Sequence, residues 1–211
     1  MLLYYITGRT HFPGNELQRR AALRERISAA AKCGIDFIQL REKDLSGREL
    51  ELLAREAIRA VRAASRQTRL LVNSRTDIAL AVGADGVHLR SNDISPSEAR
   101  NIWQAAGTAL APVMAVSCHT KEDVQRAATS RADFAAFGPV FGKGTTPATG
   151  LDLLRSVSRC GIRVLALGGV NLDNAATCLE AGAAGVAGIR LFQNGNIAET
   201  VAKLRSLEKQ G

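Results

Sequence analysis

The segment Asp36-Phe37-Ile38-Gln39-Leu40-Arg41-Glu42-Lys43 decides the fold, because a short apolar run ends abruptly within it. Residues 44–47 then lead into a segment with helical patterning, so this stretch predicts a buried strand followed by a helix. Side chains alternate between the two faces of a strand, which sends Gln39, Arg41 and Lys43 to one face. Two cations and an amide at the carboxyl end of a buried strand suit a phosphate-bearing ligand. The alternative is that Arg41 and Lys43 only begin a solvated loop.

The same order of a strand followed by a helix repeats along the chain. The predicted strands are Leu2–Thr7, Phe37–Leu40, Leu70–Asn73, Gly86–Leu89, Pro112–Ser117, Phe134–Gly138, Val164–Leu167 and Gly185–Ile189. The predicted helices are Glu16–Lys32, Ser46–Ala64, Thr76–Val82, Ser95–Ala106, Thr120–Ser130, Leu151–Arg159, Leu172–Ala181 and Ile197–Lys209. Eight such units without a linker predict a single domain, residues 1–211, folded as a (β/α)8 TIM barrel. A doubly wound open sheet is the alternative, but no GxGxxG follows the first strand.

The composition is that of a folded protein with a sizeable core. Of the 211 residues, 46% are hydrophobic and only 5 are proline, which argues against disorder. No apolar run approaches the roughly 18 residues that a membrane helix needs, and Met1 to Thr7 resemble a strand rather than a signal peptide. The four cysteines are scattered without a CxxC pair, so we expect no zinc site, no disulfides and a cytoplasmic location.

The formal net charge of +8 raises the question of nucleic-acid binding. The basic residues are spread along helices, as in 48–66, where Glu49, Glu51 and Glu56 accompany them. Aromatic residues make up only 4% of the chain, and no basic patch with interleaved aromatics is present. Such a surface favours anionic metabolites over nucleic acid as partners.

A barrel of this kind binds its ligand at the carboxyl ends of its strands. The residues at those predicted ends are mostly cationic or hydrogen-bonding: Thr7, Gln39, Arg41, Lys43, Asn73, Ser74, His88, Arg90, Asp93, Ser117, His119, residues 138–146, Gly168, Gly169, Gly188, Ile189 and Arg190. This convergence favours an anionic substrate. Glycines after the last two strands let backbone N–H groups approach a phosphate, so we expect a monophosphate site at Gly168, Gly169 and Gly188 with Arg190. The alternative is that these glycines only form tight turns.

Two histidines follow or end predicted strands. His119 lies just after the fifth strand and is the best candidate for a general acid–base residue, since imidazole titrates near neutral pH. His88 lies inside the short fourth strand, where a packed structural histidine is expected more often than a catalyst.

Taken together, several segments resemble the thiamin phosphate synthase/TenI family of small barrels, and the resemblance covers essentially the whole chain. They are Tyr5–Thr7, Ile38–Lys43, Leu71–Ala79, Gly83–Leu89, Val116–Thr120, Phe137–Phe141, Leu167–Val170 and Gly182–Ala187. In the synthase, the family reaction joins a hydroxymethylpyrimidine diphosphate to a thiazole phosphate and releases diphosphate with the help of Mg²⁺.

The resemblance also implies roles for individual residues. The pyrimidine and its diphosphate would be held by Gln39, Arg41, Lys43 and Asn73. The thiazole phosphate would be held by Gly168, Gly169, Gly188 and Ile189. We further expect substrate contacts from Ser117 and, in the loop after the sixth strand, from Lys143 and Thr145.

Three positions depart from the synthase pattern. Asn73-Ser74 stands where synthases have Asn-Asp, so a hydroxyl replaces a metal-binding carboxylate. Asp93 matches the second carboxylate and is a metal-ligand candidate only for a synthase. Thr146 occupies the usual lysine position of the next loop, with Lys143 three residues earlier, and Arg190 replaces a serine.

These departures favour the TenI branch, whose thiazole tautomerases aromatise a carboxylated thiazole phosphate by proton transfer, without metal or cofactor. In this hypothesis His119 moves the proton, and Arg41 and Lys43 face the thiazole carboxylate. The first alternative is an Mg²⁺-dependent thiamin phosphate synthase in which Lys143 replaces the displaced lysine. The second is a non-catalytic regulator that binds a phosphorylated ligand. The expected partners are a phosphorylated thiazole and, for the synthase, a pyrimidine diphosphate; a homo-oligomer is left open.

Overall fold

Eight short strands pair in parallel, each with the next along the chain, and the eighth returns to the first to close a barrel. The structure is a computed structural model that describes residues 1–108, 110–142 and 147–209. The strands are β1 (Leu2–Ile6), β2 (Phe37–Leu40), β3 (Arg69–Asn73), β4 (Gly86–Leu89), β5 (Val113–Cys118), β6 (Phe134–Phe137), β7 (Arg163–Leu167) and β8 (Gly185–Gly188). The predicted (β/α)8 TIM barrel is therefore confirmed, and the open-sheet alternative is wrong.

Helices connect the strands and cover the outside of the barrel. They are α1 (Glu16–Lys32), α2 (Gly47–Ala64), α3 (Thr76–Ala81), α4 (Pro96–Ala105), α5 (Lys121–Thr129), α6 (Gly150–Val157), α7 (Ala175–Glu180), α8 (Arg190–Gln193) and α9 (Ile197–Ser206), with 3-10 turns at Arg9–His11 and Leu207–Lys209. A capping box begins α2, since the Ser46 hydroxyl accepts from the Glu49 N–H and the Glu49 carboxylate accepts from the Ser46 N–H. Within the described residues, no helix has the length and apolarity to cross a membrane.

Helix α7 begins later than predicted, one further helix is present, and the other helices keep within three residues of their predicted bounds. The predicted helix Leu172–Ala181 begins only at Ala175, because the Asn171 side chain accepts from the N–H groups of Asp173 and Asn174 and forms a turn there. The short helix α8 was not predicted, and β8 ends at Gly188 rather than at Ile189.

Strand alternation divides the apolar side chains into two layers. The barrel interior is filled by Tyr4, Ile6, Leu71, Ala115, Phe134, Leu165 and Ala187, while a larger cluster packs between the strands and the helices. The rings of Tyr4 and Phe134 meet edge to face with centroids 5.1 Å apart. Gly185 permits closure of the barrel, because a Cβ there would lie 2.0 Å from the Leu2 carbonyl oxygen on β1. Polar residues lie beyond this apolar layer, towards the mouth at the carboxyl ends of the strands.

Candidate active site

The chain after β2 does not continue as a strand. Gln39 is buried inside the barrel, Arg41 is half-buried and Lys43 is exposed. The regular strand ends at Leu40, as predicted, and the placement of Gln39, Arg41 and Lys43 on one face stays a prediction. Glu42 lies in the segment that follows, and its carboxylate is buried against the loop after β1.

The Glu42 carboxylate is held by donors from that loop. The Thr7 hydroxyl donates to Oε1 over 2.7 Å, and the Arg9 N–H and Nη1 donate to Oε2 over 3.0 and 3.2 Å. Burial raises the pKa of Glu42, although these hydrogen bonds favour its ionised form. The Thr7 oxygen also accepts from the Arg41 N–H over 2.9 Å, so the loop fixes the backbone that carries Arg41. Sequence reasoning missed this pair of Arg9 and Glu42.

Three cations meet at the ends of β2 and β4. Repulsion from Arg41 is the main reason that the pKa of Lys43 is lowered, and Arg90 adds to it. Burial lowers the pKa of Arg41. Among the described residues, neither Arg41 nor Lys43 has an acidic side chain as an ion-pair partner. The arrangement carries a local excess of positive charge that an anion would relieve.

Below these cations, a hydrogen-bonded chain crosses the barrel interior. Gln39 Nε2 donates to the Tyr4 hydroxyl over 3.2 Å, which lies 2.9 Å from His88 Nδ1, and His88 Nε2 lies 2.7 Å from Ser117 Oγ. Burial lowers the pKa of His88 to about 3, so the ring is neutral at physiological pH. With Gln39 as donor, Tyr4 donates to Nδ1, and His88 Nε2–H donates to Ser117. The Ser117 hydroxyl is then free to donate into the mouth of the barrel. The expectation that His88 is packed is met, but its contact with Ser117 was missed.

Asn73, Ser74 and Asp93 adjoin the same mouth. Asn73 Nδ2 donates to Ser74 Oγ over 3.2 Å, and the Asp93 carboxylate pairs with the Arg90 guanidinium over 2.8 Å. Burial opposes the ionisation of Asp93, but hydrogen bonds from Arg90 and Ser74 outweigh it and lower its pKa. The described residues include no cluster of three or more His, Cys, Asp or Glu able to hold a metal ion. One carboxylate with neutral oxygens nearby fits a Mg²⁺ ion that is bound largely through substrate phosphates.

His119 directly follows β5, the strand that pairs with β4. Its Nδ1 is 2.6 Å from the Gly138 carbonyl oxygen at the end of β6, and its backbone N–H donates to Asp123. A carbonyl only accepts, so Nδ1 carries the proton and Nε2 is left as an acceptor. The side chain is exposed. Its Nε2 can therefore contact a bound ligand.

The loops after β7 and β8 form the remaining edge of the site. Gly168 has a φ of 90°, and a Cβ there would lie 2.5 Å from the Cα of Pro139, so this loop packs against the loop after β6. Gly169 also has a positive φ, of 68°. Gly188 ends β8, Ile189 is half-buried, and Arg190 is exposed at the start of α8. The predicted contacts Lys143 and Thr145, together with Thr146, lie outside the described residues.

A comparison of the sequence with known protein families identifies the family to which this barrel belongs. A family model described as thiamine monophosphate synthase matches residues 3–192. The chain belongs to the thiamine monophosphate synthase family. A putative thiamine-phosphate synthase 2 from Aquifex aeolicus is 37% identical over 196 residues, which cover 90% of this chain and 96% of the relative. A thiamine-phosphate synthase from Methanospirillum hungatei is 40% identical over 193 residues, covering 88% and 86%.

A solved structure supports the same membership in the thiamine monophosphate synthase family. The thiamine phosphate pyrophosphorylase from Pyrococcus furiosus superposes with a TM-score of 0.81 at 28% identity, covering 99% of this chain and 96% of that chain. The family resemblance inferred from the sequence is confirmed, and the chain is a thiamin-biosynthesis enzyme of this family. The names of the relatives favour the synthase alternative over the tautomerase that the sequence departures had favoured.

Proposed function

We propose that this chain is a transferase that joins a hydroxymethylpyrimidine diphosphate to a thiazole phosphate, giving thiamin phosphate and free diphosphate. The cation cluster is the observation that carries the proposal. Arg41 and Lys43 follow β2 and Arg90 follows β4, on either side of β3; both arginines lower the pKa of Lys43, and a multiply charged anion bound there would relieve this repulsion. The synthases among the relatives support the same reaction.

In this reaction the bond between the pyrimidine methylene carbon and the diphosphate oxygen breaks, and the electron pair leaves with the diphosphate. The thiazole nitrogen forms the new bond to the same carbon. Arg41 and Lys43 stabilise the charge that develops on the leaving diphosphate. A Mg²⁺ ion held by Asp93, with Asn73 and Ser74 beside it, would supply further neutralisation of that charge.

The remaining site residues bind and orient the two substrates. Gln39 and Ser117 offer hydrogen bonds to the pyrimidine, and the neutral His88 fixes the direction in which the Ser117 hydroxyl donates. The thiazole phosphate is bound at the opposite edge of the mouth, by N–H groups at Gly168, Gly169, Gly188 and Ile189 and by the side chain of Arg190.

The test is steady-state kinetics with both substrates on two variants that lose the same charge. Arg41→Gln removes a half-buried cation of the cluster, whereas Arg48→Gln removes an exposed arginine of α2. We expect Arg41→Gln to raise the KM for the pyrimidine diphosphate by about tenfold or more and to lower kcat. Arg48→Gln should match the wild type. If the two variants had equal kinetics, the diphosphate would not bind at Arg41, and the proposed site would be wrong.

A second candidate is the aromatising proton transfer on a carboxylated thiazole phosphate, favoured by His119 and Ser74. The free Nε2 of His119 would take a proton from one ring position and return it at another, and no metal is needed. The test is conversion of the non-aromatic thiazole by the wild type and by His119→Ala. Conversion that is lost in His119→Ala supports this activity, and a wild-type rate equal to that of buffer excludes it.

A further inference from the structure

Arg9 is a buried cation at the edge of the candidate site, and it binds three carboxylates. The residue is only 4% exposed. Its Nη1 and Nη2 each lie 2.7 Å from an oxygen of Asp44, and its Nη1 also contacts Glu42 over 3.2 Å. Its Nε donates to Glu16 over 2.9 Å. The bidentate ion pair with Asp44 is the main reason that the pKa of Arg9 is raised above its usual value.

The acids bound by Arg9 alternate with the cations of the site. The segment after β2 reads Arg41, Glu42, Lys43 and Asp44, so each cation has an acid beside it in the sequence. Such neighbours would ordinarily screen one another. Here both acids are turned to Arg9, and in the described part of the chain no acidic side chain pairs with Arg41 or Lys43.

We propose that Arg9 is a positioning residue that separates these charges: by holding Glu42 and Asp44, it keeps Arg41 and Lys43 free to bind a phosphate group of the substrate. The inference rests on the proposed function, since it assigns that anion to Arg41 and Lys43. Arg9 itself is too buried, and too fully engaged by carboxylates, to bind the substrate.

The proposal makes Asp44 a competitor of the ligand when Arg9 is absent. Asp44 is exposed and belongs to the turn that follows Lys43, so its carboxylate is free to move once the bidentate pair is broken. It would then neutralise Lys43 or Arg41. Glu16 also loses a partner, but it lies at the start of α1 and keeps its contact with Arg20. Only one of these two acids is therefore expected to oppose anion binding.

The experiment measures the Kd of inorganic diphosphate by titration calorimetry at fixed ionic strength. We expect Arg9→Gln to weaken binding about tenfold. Adding Asp44→Asn to that variant should restore most of the loss, whereas adding Glu16→Gln should not. The two double variants have the same net charge, so general electrostatics predicts equal recovery. A purely structural role of Arg9 predicts no recovery in either.

Two results would overturn the inference. One is unchanged diphosphate binding in Arg9→Gln, and the other is equal recovery, or none, in the two double variants. If the wild-type protein bound no diphosphate, the proposed function and the inference would both be overturned. If the wild type bound diphosphate and Arg9→Gln bound it equally well, only the inference would be overturned.

Arg9→Gln alone leaves the Glu42 carboxylate buried without its arginine, which is costly to the fold. The effect of Asp44 is therefore also measured in Glu42→Gln, which removes that buried charge. The comparison is then Arg9→Gln/Glu42→Gln against the same variant with Asp44→Asn added. Stronger binding on addition of Asp44→Asn supports the proposal, and no change contradicts it. Thermal unfolding of each variant confirms that folded protein is being compared.

Discussion

His88 Nδ1 lies 2.9 Å from the Tyr4 hydroxyl, and this contact joins β4 to β1 through the interior of the barrel. The pair sits between the apolar floor, which includes Phe134, and the polar mouth, which His88 reaches through Ser117. The imidazole is almost fully buried, and burial lowers its pKa to about 3. A neutral histidine is therefore part of the folded barrel.

The first prediction concerns stability against pH. The pKa of His88 is lower in the folded state than its ordinary value of 6.5, so the unfolded chain binds the extra proton. The stabilisation is present above about pH 6.5 and is lost as pH falls towards 3. Between pH 7.5 and 5.5 the wild type should lose about 1.4 kcal/mol more unfolding free energy than His88→Gln. Urea unfolding at both pH values measures this difference.

His11→Gln, at an exposed position, is the matched control for His88→Gln. It should lose as much unfolding free energy between the two pH values as the wild type. An equal loss in His88→Gln would contradict the prediction.

The second prediction concerns Gly168, where the loop after β7 packs on Pro139. Gly168→Ala must accept both a left-handed backbone and a Cβ about 2.5 Å from the Pro139 Cα, so the loop should shift. We expect the KM for the thiazole phosphate to rise severalfold and that for the pyrimidine diphosphate to change less. Gly161→Ala separates the two effects, because φ there is 76° and nothing lies within 4 Å of its Cβ. An equal effect of both variants on KM would contradict a role of this close approach in the phosphate site.

The third prediction concerns the metal. Ser74→Asp would place a second carboxylate beside Asp93, and its φ of 58° is one that Asp tolerates. We expect the Mg²⁺ concentration for half-maximal synthase activity to fall at least about threefold, because Mg²⁺ prefers charged oxygen ligands. Ser74→Asn has the same shape without the charge and should leave the metal requirement unchanged. If Asp and Asn behaved alike at this position, Ser74 would not adjoin the metal.

The fourth prediction concerns Gln193 of α8, which is buried between β1 and the loop after it. Its Oε1 accepts from the Tyr5 hydroxyl over 3.2 Å, and its Nε2 donates to the Gly8 carbonyl over 2.8 Å. Gln193→Leu leaves both partners unsatisfied and should cost about 2–3 kcal/mol of unfolding free energy. Tyr5→Phe removes only one hydrogen bond and should cost about 1 kcal/mol. Comparable losses in the two variants would show that the contact with Gly8 contributes little.

The barrel could be predicted from the sequence because its signals are local. Each strand is a short apolar run, and a capping residue such as Ser46 marks where the next helix begins. The polar strand ends follow from the same pattern. Their position at a common mouth follows from the fold class.

The contacts that organise the site could not be predicted in the same way. His88 and Tyr4 are 84 residues apart, and Arg9 and Glu42 are 33 apart, so their pairing depends on barrel register and loop geometry. The alternating charges from Arg41 to Asp44 were visible in the sequence. They indicated that these side chains form ion pairs, but not which partner each one takes. The short helix α8 has four residues, too few for a periodic pattern to predict.

The most direct measurement supplies the purified protein with hydroxymethylpyrimidine diphosphate and thiazole phosphate, with and without Mg²⁺, and follows thiamin phosphate. A parallel reaction supplies the non-aromatic carboxylated thiazole phosphate alone. We predict thiamin phosphate and diphosphate in equal amounts, formed only with Mg²⁺ and at an enzymatic rate. No thiamin phosphate in either condition, with conversion of the carboxylated thiazole in the parallel reaction, would contradict the synthase and establish the tautomerase instead.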